Sequence, residues 1–196
     1  MSPRDERRAF HGEPFAGGSA MIGGTHLGKS PQAHSVLAMR IDVDDPARPD
    51  VQALLDEHLR DMYTLSPPES VHALDVGKLK TPDVTFWSIR DGDVLLGCGA
   101  LKEIDAQHGE IKSMRTPASL RRRGAGRSML QHIIAVGRAR GYKRLSLETG
   151  SPSAFLPARR LYESFGFSYC EPFGEYKFDP YSVFMTLPLS ELEDDL

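Results

Sequence analysis

From Val36 onward, apolar and polar positions divide the chain into alternating element types. Val36 to Ile41 (VLAMRI) reads as a strand. Between Asp50 and Tyr63, Val51, Leu54, Leu55, Leu59 and Met62 fall on one stripe, the spacing of an amphipathic helix. Ser66-Pro67-Pro68-Glu69 breaks that helix and can cap a short second one through Ala73 and Leu74. VTFWSI (84–89) and VLLGCGALKEI (94–104) are strands separated by Arg90-Asp91-Gly92-Asp93, a hairpin signal, and Phe86 and Trp87 are expected in the core. The Gln107-His108-Gly109 corner leads into a further strand, EIKSMRT. A helix from about Arg122 to Arg140, the strand YKRLSLE, a helix around Pro157 to Phe165 and a last strand YSVFMTLPL follow. Strands dominate the first part and β-α-β-α-β the second, so the expected class is α/β, a mixed sheet flanked by helices.

Composition narrows the picture further. With 196 residues, 40% hydrophobic, 26% charged and a formal charge of -3, the chain suits one soluble domain with an appendage. No apolar run reaches the length of a membrane span, and no membrane partner is expected. Cys98 and Cys170 are too few for a disulfide scaffold or zinc knuckle, which makes a reducing cytoplasm the expected setting. Six of the 18 glycines precede position 30, so residues 1–36 read as a flexible extension, 37–189 as the folded domain and 190–196 as an acidic tail. Arg7-Arg8 resembles the start of a twin-arginine export signal, but His11-Gly12-Glu13-Pro14 stands where an apolar segment is required. Met39, at the head of the folded pattern, is a candidate translation start. Gly23, Gly28, Lys29 and Ser30 spell a phosphate loop, yet no strand precedes them and Pro31 follows where a helix is needed.

A charge asymmetry inside the domain carries more information. Between Ile111 and Leu147 lie ten basic residues and no Asp or Glu, in a chain that is acidic as a whole. Gly124-Ala125-Gly126 stands within this segment at the start of a helix, where unpaired amides and the positive end of the dipole favour an anion. Leu130, Ile133, Ile134 and Gly137 then supply the stripe that packs this helix on a sheet. Strand, basic glycine turn and amphipathic helix together suit a pyrophosphate. A solvated arginine cluster and a nucleic-acid footprint are the competing readings. The negative net charge and the absence of a recognition motif count against nucleic acid.

These residues resemble a known family. Arg121-Arg122-Arg123-Gly124-Ala125-Gly126 fits the [QR]-x-x-G-x-[GA] signature of the GNAT superfamily of acyl-CoA-dependent N-acyltransferases. Glu110-Ile111 through Met114-Arg115-Thr116 resembles that family's fourth strand, and Ala158 to Phe167 (ARRLYESFGF) resembles its A-x-x-L-Y-x-x-x-G-F helix and following strand. The likeness covers about Val36 to Leu189, and SPPESVHALD, GEIKSMRT and SLETG are similar to the YsnE-like bacterial branch. It implies a central, mostly antiparallel sheet with one splayed parallel pair, and direct transfer of acetyl from acetyl-CoA to a primary amine of a small molecule or peptide in a ternary complex. No metal is implied.

Carried over by position, the resemblance places the pyrophosphate on the amides of Arg122, Arg123, Gly124, Ala125, Gly126, Arg127 and Ser128, with Arg121 opening the signature. The backbone of Met114, Arg115 and Thr116 would pair with pantetheine and polarise the acetyl carbonyl; simple core packing of Met114 is compatible with that. Tyr162 lies at the general-acid position. A phenol near pKa 10 facing a thiol near 8.5 is uphill for full transfer by about 2 kcal/mol, so hydrogen-bond stabilisation of the leaving sulfur is expected. Glu110 and Glu148 compete as base, Glu110 being preferred, and each has the alternative of a strand-end carboxylate paired with arginine. Phe155 stands where the family often has a cofactor-contacting Asn, a departure within the proline-rich SPSAFLP loop.

The seven histidines show no metal-ligand spacing. His72 and Tyr63, near Pro67-Pro68, are candidates for the acceptor site, and Arg115 or Lys112 for contact with a substrate carboxylate. The acceptor and the oligomeric state stay open, a homodimer included. A non-catalytic CoA-binding or regulatory module is the alternative function; Tyr162 and two available glutamates count against it. Deletion of residues 1–36 separates the two phosphate-binding patterns: thiol release from acetyl-CoA should survive it, whereas a phosphate-loop activity would be lost.

Overall fold

The computed structural model describes residues 38–72 and 75–189. The N-terminal extension with its phosphate-loop spelling, Ala73 and Leu74 of the expected second helix, and the acidic tail lie outside the described residues. A seven-stranded sheet is built from β1 (Arg40–Val43), β2 (Val84–Asp91), β3 (Val94–Asp105), β4 (His108–Arg115), β5 (Arg144–Gly150), β6 (Ser168–Cys170) and β7 (Ser182–Pro188). Its order is β1-β2-β3-β4-β5-β7-β6. Only β4 and β5 run parallel among these neighbours. Three α-helices complete it: α1 (Pro49–Leu65), α2 (Ala125–Ala139) and α3 (Leu156–Glu163).

Helix α1 starts where Pro49 occupies its first turn, with Asp50 beside the positive end of the dipole, and ends before Pro67. Its stripe of Val51, Leu54 and Leu55 buries against Leu79, Phe86, Cys98 and Ala100 on one face of the sheet. On the other face, Met129, Leu130, Ile133 and Ile134 of α2 cover Leu101, Ile111, Leu145, Leu147 and Met185. Leu130 has no exposed surface, so truncating it to Ala costs about 2–5 kcal/mol. Phe86 and Trp87 are buried as expected.

Several boundaries differ from the sequence reading. α2 begins at Ala125 rather than Arg122, because Arg122 (φ 63°) and Gly124 (φ 89°) adopt left-handed backbone that no right-handed helix can contain. β1 covers Arg40–Val43, pairing with Trp87 to Arg90, so only Arg40 and Ile41 of the expected VLAMRI strand fall in it. Pro68–Ser70 forms a single 3-10 turn. Among the described residues, no helix is long and apolar enough to cross a membrane.

A local irregularity in β4 organises the centre of the sheet. Cys98 faces Arg115 and Ala100 faces Lys112, so two steps along β3 match three along β4. The extra residue is accommodated around Ser113, whose φ is 51°. Parallel pairing with β5 accordingly stops at Ile111 opposite Leu147. Beyond it β4 and β5 no longer form a ladder, which opens the sheet at its middle.

The Gly97-Cys98-Gly99 segment of β3 makes room for this bulge. A Cβ on Gly97 would lie 2.6 Å from the Arg115 carbonyl oxygen, and one on Gly99 would lie 2.9 Å from Met114 Sδ. Gly97→Ala should therefore destabilise the protein by roughly 1–3 kcal/mol in urea unfolding, since a backbone atom must move to admit the methyl. An unchanged midpoint would show that β4 does not need this close approach.

Candidate active site

Where the sheet opens, two chemically distinct regions meet. The first is the glycine turn. Ser128 N–H donates to the Gly124 carbonyl at 2.9 Å, the first bond of α2. Ala125, Gly126 and Arg127 thus precede any intrahelical acceptor, and no side chain caps them. Arg121, Arg122, Arg123 and Arg127 are exposed around them, and the Arg127 guanidinium lies 4.8 Å from the centre of the Phe165 ring. A Cβ on Gly126 would sit 3.7 Å from Thr116 Oγ1 and 3.6 Å from Leu161, so the end of β4, the start of α2 and α3 converge here. Uncapped amides, the helix dipole and four guanidinium groups without an interspersed carboxylate fit a diphosphate.

The second region follows from strand register. Lys102 is opposite Glu110, Ala100 opposite Lys112, Glu110 opposite Ser146, and Glu148 opposite Phe184. Paired residues share a face, and so do residues two apart along a strand. Glu110, Lys112 and Glu148 therefore project together on the α1 side of the sheet. Lys112 Nζ donates to Glu110 Oε1 at 3.0 Å, and both side chains are buried. Tyr176 Oη donates to the same carboxylate oxygen at 2.6 Å and accepts from Lys112 Nζ at 2.6 Å.

Glu148 has different surroundings. Its Oε1 accepts from Ser182 Oγ at 2.6 Å. Burial pushes its carboxyl above the ordinary carboxylate value; the Ser182 bond and the charges of His72 and Lys112 oppose this, and the Glu110 charge adds to it. Tyr162 in α3 is buried, with its ring 5.7 Å from that of Phe167 in an edge contact. Desolvation pushes its phenol well above its ordinary value, and the Glu148 charge contributes in the same direction.

A cleft of about 820 Å³ leads to this cluster, with Lys102, Glu110 and Lys112 on its floor. Its walls are the segment carrying Glu69 and His72 and the β6–β7 loop carrying Phe173 to Asp179. His72 joins the walls: its ring meets Tyr176 edge-on at 5.2 Å, and its Nε2 lies 4.0 Å from Asp179. The Asp179 carboxyl is held below its usual value, first by a hydrogen bond from Ser70.

The expected site residues separate into groups. Glu110, Glu148, Lys112 and His72 come together in or beside the cleft, with Tyr162 near Glu148. Tyr63 is exposed and is not part of the cleft lining. Arg115 does not face the cleft: its guanidinium pairs with Glu57 at 2.8 Å and with Asp61, both on α1. Beside it, His58 is held to a pKa of about 4, by burial first and by the Arg115 charge second. Met114 packs against the core, and Phe155 lays its ring on Gly150, where an added Cβ would come within 2.3 Å. Sequence reading passed over Tyr176, Phe173, Asp179 and Ser182. EPFGEYKFDPY has neither helical nor strand period, and its density of aromatic residues is the one local signal it carries.

Comparison with known proteins completes the assignment. The family model described as Acetyltransferase (GNAT) family matches residues 51–167. The uncharacterized N-acetyltransferase YsnE of Bacillus subtilis is 60% identical over 151 residues, which is 77% of this chain and 100% of that protein. Among solved structures, a putative acyl-CoA N-acyltransferase from Klebsiella pneumoniae superposes with a TM-score of 0.64 at 27% identity, covering 79% of this chain and 99% of its own. An Elizabethkingia anophelis GNAT acetyltransferase with acetyl-CoA bound shares the fold, with a TM-score of 0.54 at 19% identity, over 77% of this chain and 98% of its own. With a bulged β4, a splayed β4–β5 pair and a basic glycine turn in place, the chain belongs to the GNAT family of N-acetyltransferases, in its YsnE-like branch.

Proposed function

We propose that the protein transfers the acetyl group of acetyl-CoA to a primary amine of a small molecule or peptide, by direct attack within a ternary complex. The observation that carries this reading is the meeting, at one opening in the sheet, of an uncapped cationic glycine turn and a buried carboxylate cluster. Acetyl-CoA supplies the acetyl carbon as an activated thioester. The amides of Ala125, Gly126 and Arg127, with Arg121, Arg122, Arg123 and Ser128 around them, hold its diphosphate. The main chain of Met114 to Thr116 lies along the opening and suits the pantetheine. Phe155, packed on Gly150, closes the far side of the opening rather than offering a polar contact.

Charge placement favours Glu148 over Glu110 as base. One oxygen of Glu110 is already occupied, accepting from both an ammonium and a phenol, and so is not open to an incoming amine proton. Glu148 has one neutral donor, and burial raises its affinity for a proton. In the reaction, the amine nitrogen forms the new C–N bond, its proton passes to Glu148, and the C–S bond breaks. Tyr162, kept neutral by burial, donates a hydrogen bond to the departing sulfur; its raised pKa makes complete transfer more uphill than for a free phenol. The amine enters through the 820 Å³ cleft and is drawn by the carboxylates at its base.

Glu148→Gln should lower kcat by about 10²–10⁴-fold, measured as thiol release in a screen of amines, with the affinity for acetyl-CoA retained. Because the Glu148 carboxyl titrates above its ordinary value, wild-type kcat should fall as pH drops through a midpoint higher than that of a free glutamate. Tyr162→Phe should lower kcat by roughly tenfold or more without weakening cofactor binding. Full turnover in either variant removes that residue from the mechanism.

Gly124→Ala tests the diphosphate cradle separately. At φ 89° a Cβ costs about 1–2 kcal/mol and disturbs the amides that follow. Calorimetry should show acetyl-CoA affinity reduced by roughly tenfold or more, while the acid limb of kcat stays in place. Binding equal to wild type would place the diphosphate elsewhere.

A further inference from the structure

The β6–β7 loop brings a phenol into the carboxylate cluster, and its placement goes beyond packing. Tyr176 Oη sits between two ionic groups, 2.6 Å from Glu110 Oε1 and 2.6 Å from Lys112 Nζ. Its ring is held by edge or tilted contacts with His72 at 5.2 Å, Phe173 at 5.2 Å and Phe184 at 5.3 Å. The Lys112 ammonium also lies 5.3 Å from the centre of that ring. The hydroxyl is thus fixed from one side by a rigid aromatic group and from the other by an ion pair on β4.

We propose that Tyr176 is a positioning residue for acetyl transfer: its hydroxyl locks the Lys112 ammonium and the Glu110 carboxylate into one unit beside Glu148. That unit sets the charge against which Glu148 takes a proton. The inference rests on the reading of Glu148 as base. Every element around Glu148 contributes a titratable or polar group: His72 from the segment after α1, Glu110 and Lys112 from β4, Ser182 from β7, Tyr162 from α3 and Tyr176 from the loop. Two of them act on it with opposite signs. Lys112 favours its ionised form and Glu110 opposes it, so the distance of each from Glu148 matters.

An unlocked Lys112 would be free to turn its ammonium elsewhere, because a lysine amine on a four-carbon stem has no fixed direction of its own. Stability alone does not account for the arrangement. Buried ion pairs are commonly matched or exceeded in stability by apolar groups of similar shape. The cluster stands on the face where the two strands diverge, at the inner end of the cleft.

The sign of the response identifies the mechanism. Carboxyl ¹³C NMR titration of the protein, free of cofactor, follows Glu148, whose resonance is assigned by its loss in Glu148→Gln. Tyr176→Phe retains the ring contacts, removes the donor to Glu110 and releases the Lys112 ammonium, so the Glu148 midpoint should rise by about half a pH unit. Lys112→Met, which removes the cation, should raise the Glu148 midpoint further. Glu110→Gln should lower it. In thiol release from acetyl-CoA with glycinamide as acceptor, kcat of Tyr176→Phe should fall roughly tenfold with unchanged acetyl-CoA affinity, its acid limb moving to higher pH.

Loss of stability in Tyr176→Phe without a rise in the Glu148 midpoint would mark Tyr176 as structural and overturn the proposal. So would a shifted titration with wild-type kcat. If Glu148→Gln is inactive and the titrations do not move, only the role of Tyr176 falls. If Glu148→Gln turns over at the wild-type rate, the base assignment falls first.

Discussion

One extra residue in β4 governs the arrangement of everything around it. A parallel pair whose ladder continued to Arg115 would close the centre of the sheet and leave no backbone facing outward between β4 and β5. The third step between Lys112 and Arg115, matched by two on β3, bends the strand and ends the pairing at Ile111. Ser113 adopts φ 51° to permit it, a conformation that costs a non-glycine residue about 1 kcal/mol or more. Packing on both sides holds it there. Gly97 admits the Arg115 carbonyl, Gly99 admits Met114, and Arg115 reaches across to Glu57 and Asp61 on α1.

The opening then sorts charge by position. At its α2 end, four arginines and a helix N-terminus gather without a neighbouring carboxylate in sequence, a positive potential that suits phosphate groups. Toward the cleft, the buried Glu110–Lys112 ion pair stands beside the half-buried Glu148. A neutral phenol, Tyr162, lies near Glu148. Acetyl-CoA and an amine have opposite electrostatic needs, and under the proposed reading the two ends of the opening meet them separately.

How much of this could be read from sequence depends on the range of the interaction. The stripes of α1 and α2 and the Asp91-Gly92 hairpin follow from local periodicity and turn chemistry, and the structure has them. The glycine turn was legible because ten basic residues without an acid are improbable in an acidic chain. The bulge was not, since EIKSMRT reads as an ordinary strand until its register against β3 is known. The partner of Arg115 was also hidden, because α1 lies more than fifty positions earlier in the chain. Glu110 and Glu148 could each be singled out, but only the parallel register shows that they share a face. Tyr176 belongs to a loop whose conformation no period encodes, so its part in the cluster depends wholly on tertiary packing.

The side chains of the bulge are engaged with the rest of the scaffold. Met114 is directed into the core beside Gly99, Arg115 is tied to α1, and Thr116 lies over Gly126. Each of the three is committed to holding the strand in place. What remains along the opening is main chain, whose donors and acceptors are the same for any residue. On the proposed reading of this strand as the pantetheine contact, two requirements separate: the side chains at 114–116 hold the scaffold, while the N–H and C=O groups would do the recognition. Under that reading the glycine turn divides in the same way: its amides would meet the diphosphate and the arginines would add charge. The proposed reading leaves acceptor specificity to the cleft walls formed by the His72 segment and the β6–β7 loop, the two parts of the cleft that are not built from regular sheet or helix.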